Sequence, residues 1–211
     1  MSKQPLVVTA IDTDAGKTVV SALVAKALNT DYWKPVQAGG LDHSDSMEVD
    51  RLTGGSLKIW PEAFRLNTPA SPHLAAEIDG IEIQPEQLVI PETENQLLIE
   101  GAGGLMVPIS EKFTLLDWFK MINPKILVVT KHYLGSINHT LCTLEVMKQH
   151  GLQVEGLIVN GDAHEPSERA FAKIAGVKVL AHVPLAPQLN TTWINNTAAE
   201  LAPKLSFLCP R

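Results

Sequence analysis

Two rhythms of apolar residues alternate along the chain. Short runs rich in valine, isoleucine and leucine, at residues 6–10, 96–100, 126–130, 155–160 and 177–183, have strand length and end in polar or glycine-rich stretches. The run 126–130 is apolar on successive positions, the pattern of a strand buried on both faces of a sheet. Between the strands, apolar residues recur at helical spacing. Val19, Leu23, Val24, Ala27 and Leu28 form one stripe, closed by Asn29, and residues 113–122, stopped by Asn123-Pro124, form another. The same reading predicts helices over 74–78, with Pro72 in the first turn and Ser71 as its cap, over 140–150 ahead of Gly151, over 165–175 and over 195–204. It also predicts a short surface helix within the polar, proline-flanked segment 84–95, and a strand leading into Tyr32. Strands that alternate with helices in this way predict an α/β fold: a mostly parallel sheet with helices on both faces, in a single domain over residues 1–211, with ligands at the carboxyl ends of the strands.

The chemistry-bearing stretches sit where that architecture puts ligands. The first strand passes through Asp12-Thr13-Asp14-Ala15 into Gly16-Lys17-Thr18 and then directly into a helix. A strand, loop and helix of this kind bind phosphate: backbone N–H groups at the helix start point at the anion, the lysine reaches the terminal phosphates, and the threonine hydroxyl serves Mg²⁺. The strict pattern wants a glycine where Ile11 stands. Lys34 follows a strand, is held by Pro35, and opens through Val36-Gln37-Ala38 into Gly39-Gly40, so a rigid backbone delivers it to the sheet edge; a solvated strand-end lysine is the plainer account. Asp45, among turn formers and carboxylates, is either a metal ligand or a helix cap. Glu100 closes an apolar strand just before Gly101-Ala102-Gly103-Gly104, the position of an acid near Mg²⁺ in a nucleotide site, with glycines that allow backbone to approach a ligand closely. Gly135 and Ser136 open a second helix N-terminus suited to a carboxylate or phosphate. His139 fits packing at a helix start as well as it fits a ligand.

Charge and composition narrow the partners. The net charge is −6, from 17 basic and 23 acidic residues, and the basic ones are scattered. That leaves no footprint for a nucleic-acid backbone. No apolar run reaches membrane-spanning or signal-peptide length, so a cytoplasmic protein is expected. The two cysteines, Cys142 and Cys209, are few and far apart, which suits reduced thiols.

Taken together, Asp12–Thr18, Lys34-Pro-Val-Gln-Ala-Gly39, Ser44-Asp45, Pro69-Ala-Ser-Pro-His73, Glu100-Gly-Ala-Gly-Gly104, Leu134-Gly-Ser-Ile-Asn-His139 and Val159-Asn160 resemble the dethiobiotin synthetases in order and spacing, from residue 6 to about residue 185. Each motif alone is shared with other P-loop NTPase-like proteins; the combination is specific. The resemblance implies a homodimeric, ATP- and Mg²⁺-dependent ligase. Such an enzyme carboxylates 7,8-diaminopelargonate with CO₂ and closes the ureido ring of dethiobiotin, through a carbamate and a carbamic-phosphoric anhydride, in the penultimate step of biotin synthesis. It further implies that Thr18, Asp45 and Glu100 hold Mg²⁺ and that Lys17 grips the β and γ phosphates, with Lys34 beside the carbamate and the transferring phosphoryl group. Asp12, Thr13, Asp14, Ala15, Gly16 and Val19, with Gly101 and Gly103, complete the nucleotide site, Asn160 reads the adenine, and Pro184 and Leu185 enclose it. Thr13 and Ala38 line the substrate site, and Gly135, Ser136, Ile137 and Asn138 receive the distal carboxylate of the substrate across a dimer interface.

The chain departs from the family pattern in four places. Ala10-Ile11 stands where the family has Gly-Thr, and Ala38 replaces a common serine, which removes one substrate hydrogen bond worth about 1 kcal/mol. Lys131-His132-Tyr133 looks like a small insertion, and the segment after Asn160 aligns poorly, so no family tyrosine is placed there; the only tyrosines are Tyr32 and Tyr133. The rival reading is a positioning ATPase of the ParA or MinD type, which shares the fold. It lacks support in the early lysine of that loop, whose place holds Asp12, and in the short, proline-broken tail 206–211. A third reading is another ATP-dependent ligase of cofactor synthesis, different in its substrate loops.

Overall fold

The structure is a computed structural model that describes residues 3–209. In chain order the elements are β1 (Leu6–Ala10), α1 (Lys17–Leu28), β2 (Asp31–Trp33), β3 (Val36–Ala38), α2 (Asp45–Thr53), β4 (Ile59–Trp60), β5 (Phe64–Leu66), α3 (Pro72–Asp79), β6 (Leu97–Gly104), β7 (Pro108–Ser110), β8 (Phe113–Thr114), α4 (Leu115–Ile122), β9 (Lys125–Thr130), α5 (Ser136–Gln149), β10 (Gln153–Asn160), α6 (Glu165–Ala170), β11 (Val179–Val183) and α7 (Thr191–Leu205). Seven strands form one sheet in the order β11-β10-β9-β1-β6-β2-β4, and every pairing in it is parallel.

Alternation along each strand builds two cores, one on each face. Leu6, Val8 and Ala10 point into a layer with α1, α2 and α7, while Val7 points into the opposite layer with α3, α4 and α5. The order 10-9-1-6 makes β1 the central strand, so its carboxyl end, which becomes the phosphate loop, emerges at the middle of the sheet edge. Two small sheets frame that edge: β3 with β5 in parallel, and the β7–β8 hairpin.

Several expectations are corrected. The strand expected to finish at Glu100 runs on to Gly104, with the acid in its middle. Val8 pairs with Glu100 and Ala10 with Gly104, so β1 advances two residues while β6 advances four, and the glycine run forms a bulge. Gly103 has φ +64°, and a Cβ there would meet Val107 Cγ2 at 2.7 Å. In the segment 84–95 only a single tight turn, Pro85–Gln87, is helical. The helix expected over 113–122 begins at Leu115, because Thr114 caps it by accepting from the Asp117 amide. The helix expected over 165–175 changes to a wider turn at Phe171–Ala175. Ser71 stands at the cap position of α3, yet its hydroxyl bonds to His73 Nδ1 instead. The short strands β3, β4, β5, β7 and β8 carry too few residues to show a period.

Candidate active site

The phosphate loop folds back tightly over its own lysine. Asp12 Oδ1 accepts from the Thr13 amide at 2.6 Å, residues Thr13–Ala15 make a tight helical turn, and Gly16 takes φ +85° as α1 begins. Lys17 Nζ donates to the carbonyls of Asp12 and Thr13 at 3.1 and 3.3 Å. Burial pushes the Lys17 pKa down to about 8, against the opposing pull of the Glu100 carboxylate. Asn160, at the end of β10, donates from Nδ2 to the Ala15 carbonyl at 2.9 Å and so clamps the loop from the neighbouring strand end.

A second set of side chains meets beside the loop. Lys34, next after β2, points inward and ion-pairs with both Asp45 and Glu100, the latter at 3.1 Å. Thr18 Oγ1 donates to Asp45 Oδ1 at 2.9 Å and lies 3.2 Å from Glu100 Oε1. Burial pushes the Lys34 pKa down, but the Glu100 and Asp45 carboxylates outweigh it and hold the ammonium charged above the ordinary lysine value. For Asp45 burial acts upward, and Lys34 with the Thr18 hydroxyl prevails and keeps it below the usual carboxylate range. Three segments distant in sequence thus bring one hydroxyl and two carboxylates to one place. That is a hard oxygen donor set of the kind Mg²⁺ takes, and the residues fit the ion. Asp45 is also the first residue of α2, but its side chain is no cap: Ser44 caps the helix by accepting from the Met47 amide.

Of these groups Lys34 and Asp45 line a cleft of about 390 Å³, together with Thr13, Gln37, Ala38, Pro69 and Gly103 among others. Lys34 and Asp45 bring charge to its lining, and Pro69–Pro72 and the bulged stretch with Ala102 and Gly103 supply much of the rest. Ammonium groups and carboxylates that face one another beside a phosphate loop can hold a nucleotide's terminal phosphates next to a second anion.

Not every residue of the sequence-derived site meets there. Gly135, Ser136, Ile137 and Asn138 start α5 and are not among the residues lining this cleft. Ser136 is buried and its hydroxyl accepts from the Tyr133 amide, while Leu134 and Ile137 face outward. Pro184 and Leu185 follow β11 directly, beside Asn160, which pairs with Val183 across the sheet. Gly101 lies within the bulged strand, and Val19 is in the first turn of α1. Two functional candidates escaped the sequence reading. Tyr32 is fully buried and donates its hydroxyl to Glu100 Oε2 at 3.0 Å. Gln37 accepts from the Asp45 amide and donates to the Gly39 carbonyl, pinning the start of α2. The available signal was period-two spacing, which puts Tyr32 on the same side of the strand as Lys34.

The family model described as an AAA domain matches residues 4–192. The ATP-dependent dethiobiotin synthetase BioD of Christiangramia forsetii is 45% identical over 199 residues, covering 94% of this chain and 96% of that protein. The chain belongs to the dethiobiotin synthetase family. This places it among ATP-dependent ligases. Other dethiobiotin synthetases agree: that of Rhodopseudomonas palustris is 44% identical over 89% of each chain, and that of Brucella ovis 45% over 92% of each. Solved structures share the fold at much lower identity. A ParA family ATPase from Chlorobium tepidum superposes with TM-score 0.61 at 14% identity, over 96% of this chain and 99% of that one. The cell division ATPase MinD of Pyrococcus furiosus gives 0.62 at 14%, over 98% and 100%. The positioning ATPases therefore share the architecture of the dethiobiotin synthetases, and their likeness at this identity concerns the fold alone.

Proposed function

We propose that the chain uses ATP and Mg²⁺ to carboxylate 7,8-diaminopelargonate with CO₂ and to close the ureido ring of dethiobiotin, releasing ADP and phosphate. The observation that carries the reading is the meeting of Lys17 and Lys34 with Thr18, Asp45 and Glu100 at the edge of one cleft, in a member of this family. A neutral amine of the substrate captures CO₂ to give a carbamate anion, whose oxygen attacks the γ-phosphorus. Two anions must approach each other, and their repulsion is the main barrier to lower. Lys17 grips the phosphates. Lys34, kept charged by its two carboxylates, faces the carbamate. Thr18, Asp45 and Glu100 would hold Mg²⁺, which supplies further positive charge to the phosphates. The second amine of the same substrate then attacks the carbonyl carbon of the carbamic-phosphoric anhydride, displacing phosphate; because nucleophile and electrophile belong to one bound molecule, positioning supplies most of this step.

In this reading Asp12, Thr13 and the loop backbone through Val19 line the nucleotide, with Asn160, Pro184 and Leu185 on the adenine side. Ala38 and the α5 start, Gly135–Asn138, serve the substrate, the latter from a second copy of the chain. The outward-facing Leu134 and Ile137 beside that helix start support a homodimer, which sedimentation of the purified protein tests. The chain then acts as one soluble, cytoplasmic catalytic domain; among the described residues no helix is long and apolar enough to cross a membrane. The decisive assay measures ADP and phosphate with diamine, CO₂ and Mg²⁺ omitted in turn. Product forms only when all are present, and equal ATP turnover without the diamine overturns the proposal.

A further inference from the structure

Glu100 is the one carboxylate of the site with no solvent exposure, and its two oxygens are bonded differently. Oε1 is turned toward the side chains that meet Asp45 and lies 3.1 Å from Lys34 Nζ and 3.2 Å from Thr18 Oγ1. Oε2 faces the interior and has one partner, the Tyr32 hydroxyl at 3.0 Å, sixty-eight residues away in sequence. A carboxylate in an apolar interior is free to rotate about its last bond unless both oxygens are held, and an oxygen without a donor there is costly. The Tyr32 ring lies fully buried in the layer beneath α1 and α2, and the pairings Tyr32 with Leu98 and Trp33 with Ile99 fix β2 against β6, so the phenol is held by the sheet itself.

We infer that Tyr32 is a positioning residue of the metal site: by donating to Oε2 it fixes the plane of the Glu100 carboxylate and presents Oε1, and that oxygen only, to the cation beside Thr18 and Asp45. The inference rests on the metal role proposed above for Glu100. The bond is an outer partner of the kind that orients a metal-ligating carboxylate, and loss of such partners lowers metal affinity about 10- to 100-fold.

The test is Mn²⁺ binding, followed by the electron-spin-resonance signal of the free ion, in the parent and in Tyr32→Phe, each saturated with a non-hydrolysable ATP analogue. Phenylalanine keeps the ring and removes only the donor. We expect Mn²⁺ affinity about 10- to 100-fold weaker in Tyr32→Phe, with affinity for the analogue in the absence of metal changed less than about twofold. A second variant gives an independent reading. Tyr32 and Tyr133 are the only tyrosines, so Tyr133→Phe leaves Tyr32 as the sole phenol, and its ultraviolet resonance Raman bands should shift when the metal is added to the analogue complex. Lowered thermal stability of Tyr32→Phe with parental Mn²⁺ affinity overturns the inference and makes the bond structural only. Failure of the parent itself to bind Mn²⁺ overturns the metal reading of the site, and the inference with it.

Discussion

The side-chain amide of Asn160 donates to the Ala15 carbonyl at 2.9 Å, and the same nitrogen lies 2.1 Å from the point that a Cβ on Gly16 would occupy. The clamp on the phosphate loop therefore depends on the absence of a side chain at the loop's last residue. Gly16→Ala meets two obstacles, the collision with Asn160 and a left-handed backbone that costs a residue with a Cβ about 1–2 kcal/mol. It is expected to abolish binding of an ATP analogue in calorimetry. Adding Asn160→Ala removes the collision but keeps the backbone penalty, so the double variant should recover part of the affinity. Analogue binding by Gly16→Ala at parental strength would show that the loop opens without cost.

The two lysines carry like charges in unlike surroundings. Lys17 bonds to the loop carbonyls of Asp12 and Thr13, and in the proposed mechanism it meets phosphates already present in the bound nucleotide, so Lys17→Ala should weaken ATP binding and turnover together. In the proposed mechanism Lys34 faces the second anion, where charge accumulates as the two partners meet, so Lys34→Ala should lower kcat by about 10²-fold or more with little change in ATP affinity. Single-turnover rates and calorimetry on the same variants decide. Near-normal turnover in Lys34→Ala removes this residue from the chemistry, and lost affinity with intact chemistry makes it a binding residue. Arginine there should rescue poorly, because a planar fork does not replace a compact ammonium.

Asp45 and Glu100 should differ in what their loss does to the fold. The Asp45 side chain is one-third exposed, whereas that of Glu100 is wholly buried against Lys34, Tyr32 and Thr18. Asp45→Ala leaves Lys34 paired with Glu100 and is expected to lose metal–nucleotide affinity in a folded protein. Glu100→Ala leaves the buried Lys34 with only the part-exposed Asp45 and takes the acceptor from the buried Tyr32 hydroxyl, so it is expected to cost more stability than Asp45→Ala, up to about 3–5 kcal/mol. Urea denaturation of the nucleotide-free variants measures the difference, and equal midpoints would contradict it.

Asp79, at the end of α3, accepts from the amides of Asn67 and Thr68 and from the Thr68 hydroxyl, and so fixes the loop that presents Pro69 to the cleft. The Thr68 hydroxyl leads the bonds that, against the opposing effect of burial, hold its carboxyl below the ordinary 3.8. The unfolded chain therefore takes up this proton first as pH falls. The stabilisation is complete above the unfolded value and is lost as pH drops through the lowered folded value. Amide resonances of Asn67 and Thr68 should titrate together below pH 3.8, and in Asp79→Asn they should not titrate there. Titration at or above the ordinary value would show that the clasp does not form.

The long elements and the charged side chains beside the cleft were readable from sequence because each rests on a local rule: a strand before Gly16-Lys17-Thr18, a proline after Lys34, an acid at the end of an apolar run. What escaped reading rests on pairing between distant segments. The bulge at 101–103 exists only against β1, which is why Glu100 looked like a strand end when it is mid-strand. Tyr32 looked like an ordinary strand aromatic, since only the register of β2 on β6 shows which carboxylate its hydroxyl meets. Asn160 was assigned by resemblance to the adenine, and its hold on Ala15 depends on the side-by-side placement of β1, β9 and β10.

The place of β1 also sets the timing of synthesis. Val8 pairs with Glu100 on one side and with Leu127 on the other, so of the strands in the sheet β1 waits longest in sequence for both of its neighbours. At roughly 5–20 residues per second, on the order of ten seconds pass with Leu-Val-Val-Thr-Ala uncovered. A β-prone apolar segment left unpaired for that time is a target for association with other nascent chains and for holding chaperones. The contacts of Thr18 and Lys34 with Glu100 appear only once β6 has been made, so a truncated chain ending before residue 97 has the phosphate-loop sequence and Asp45 but lacks the buried acid of the cluster.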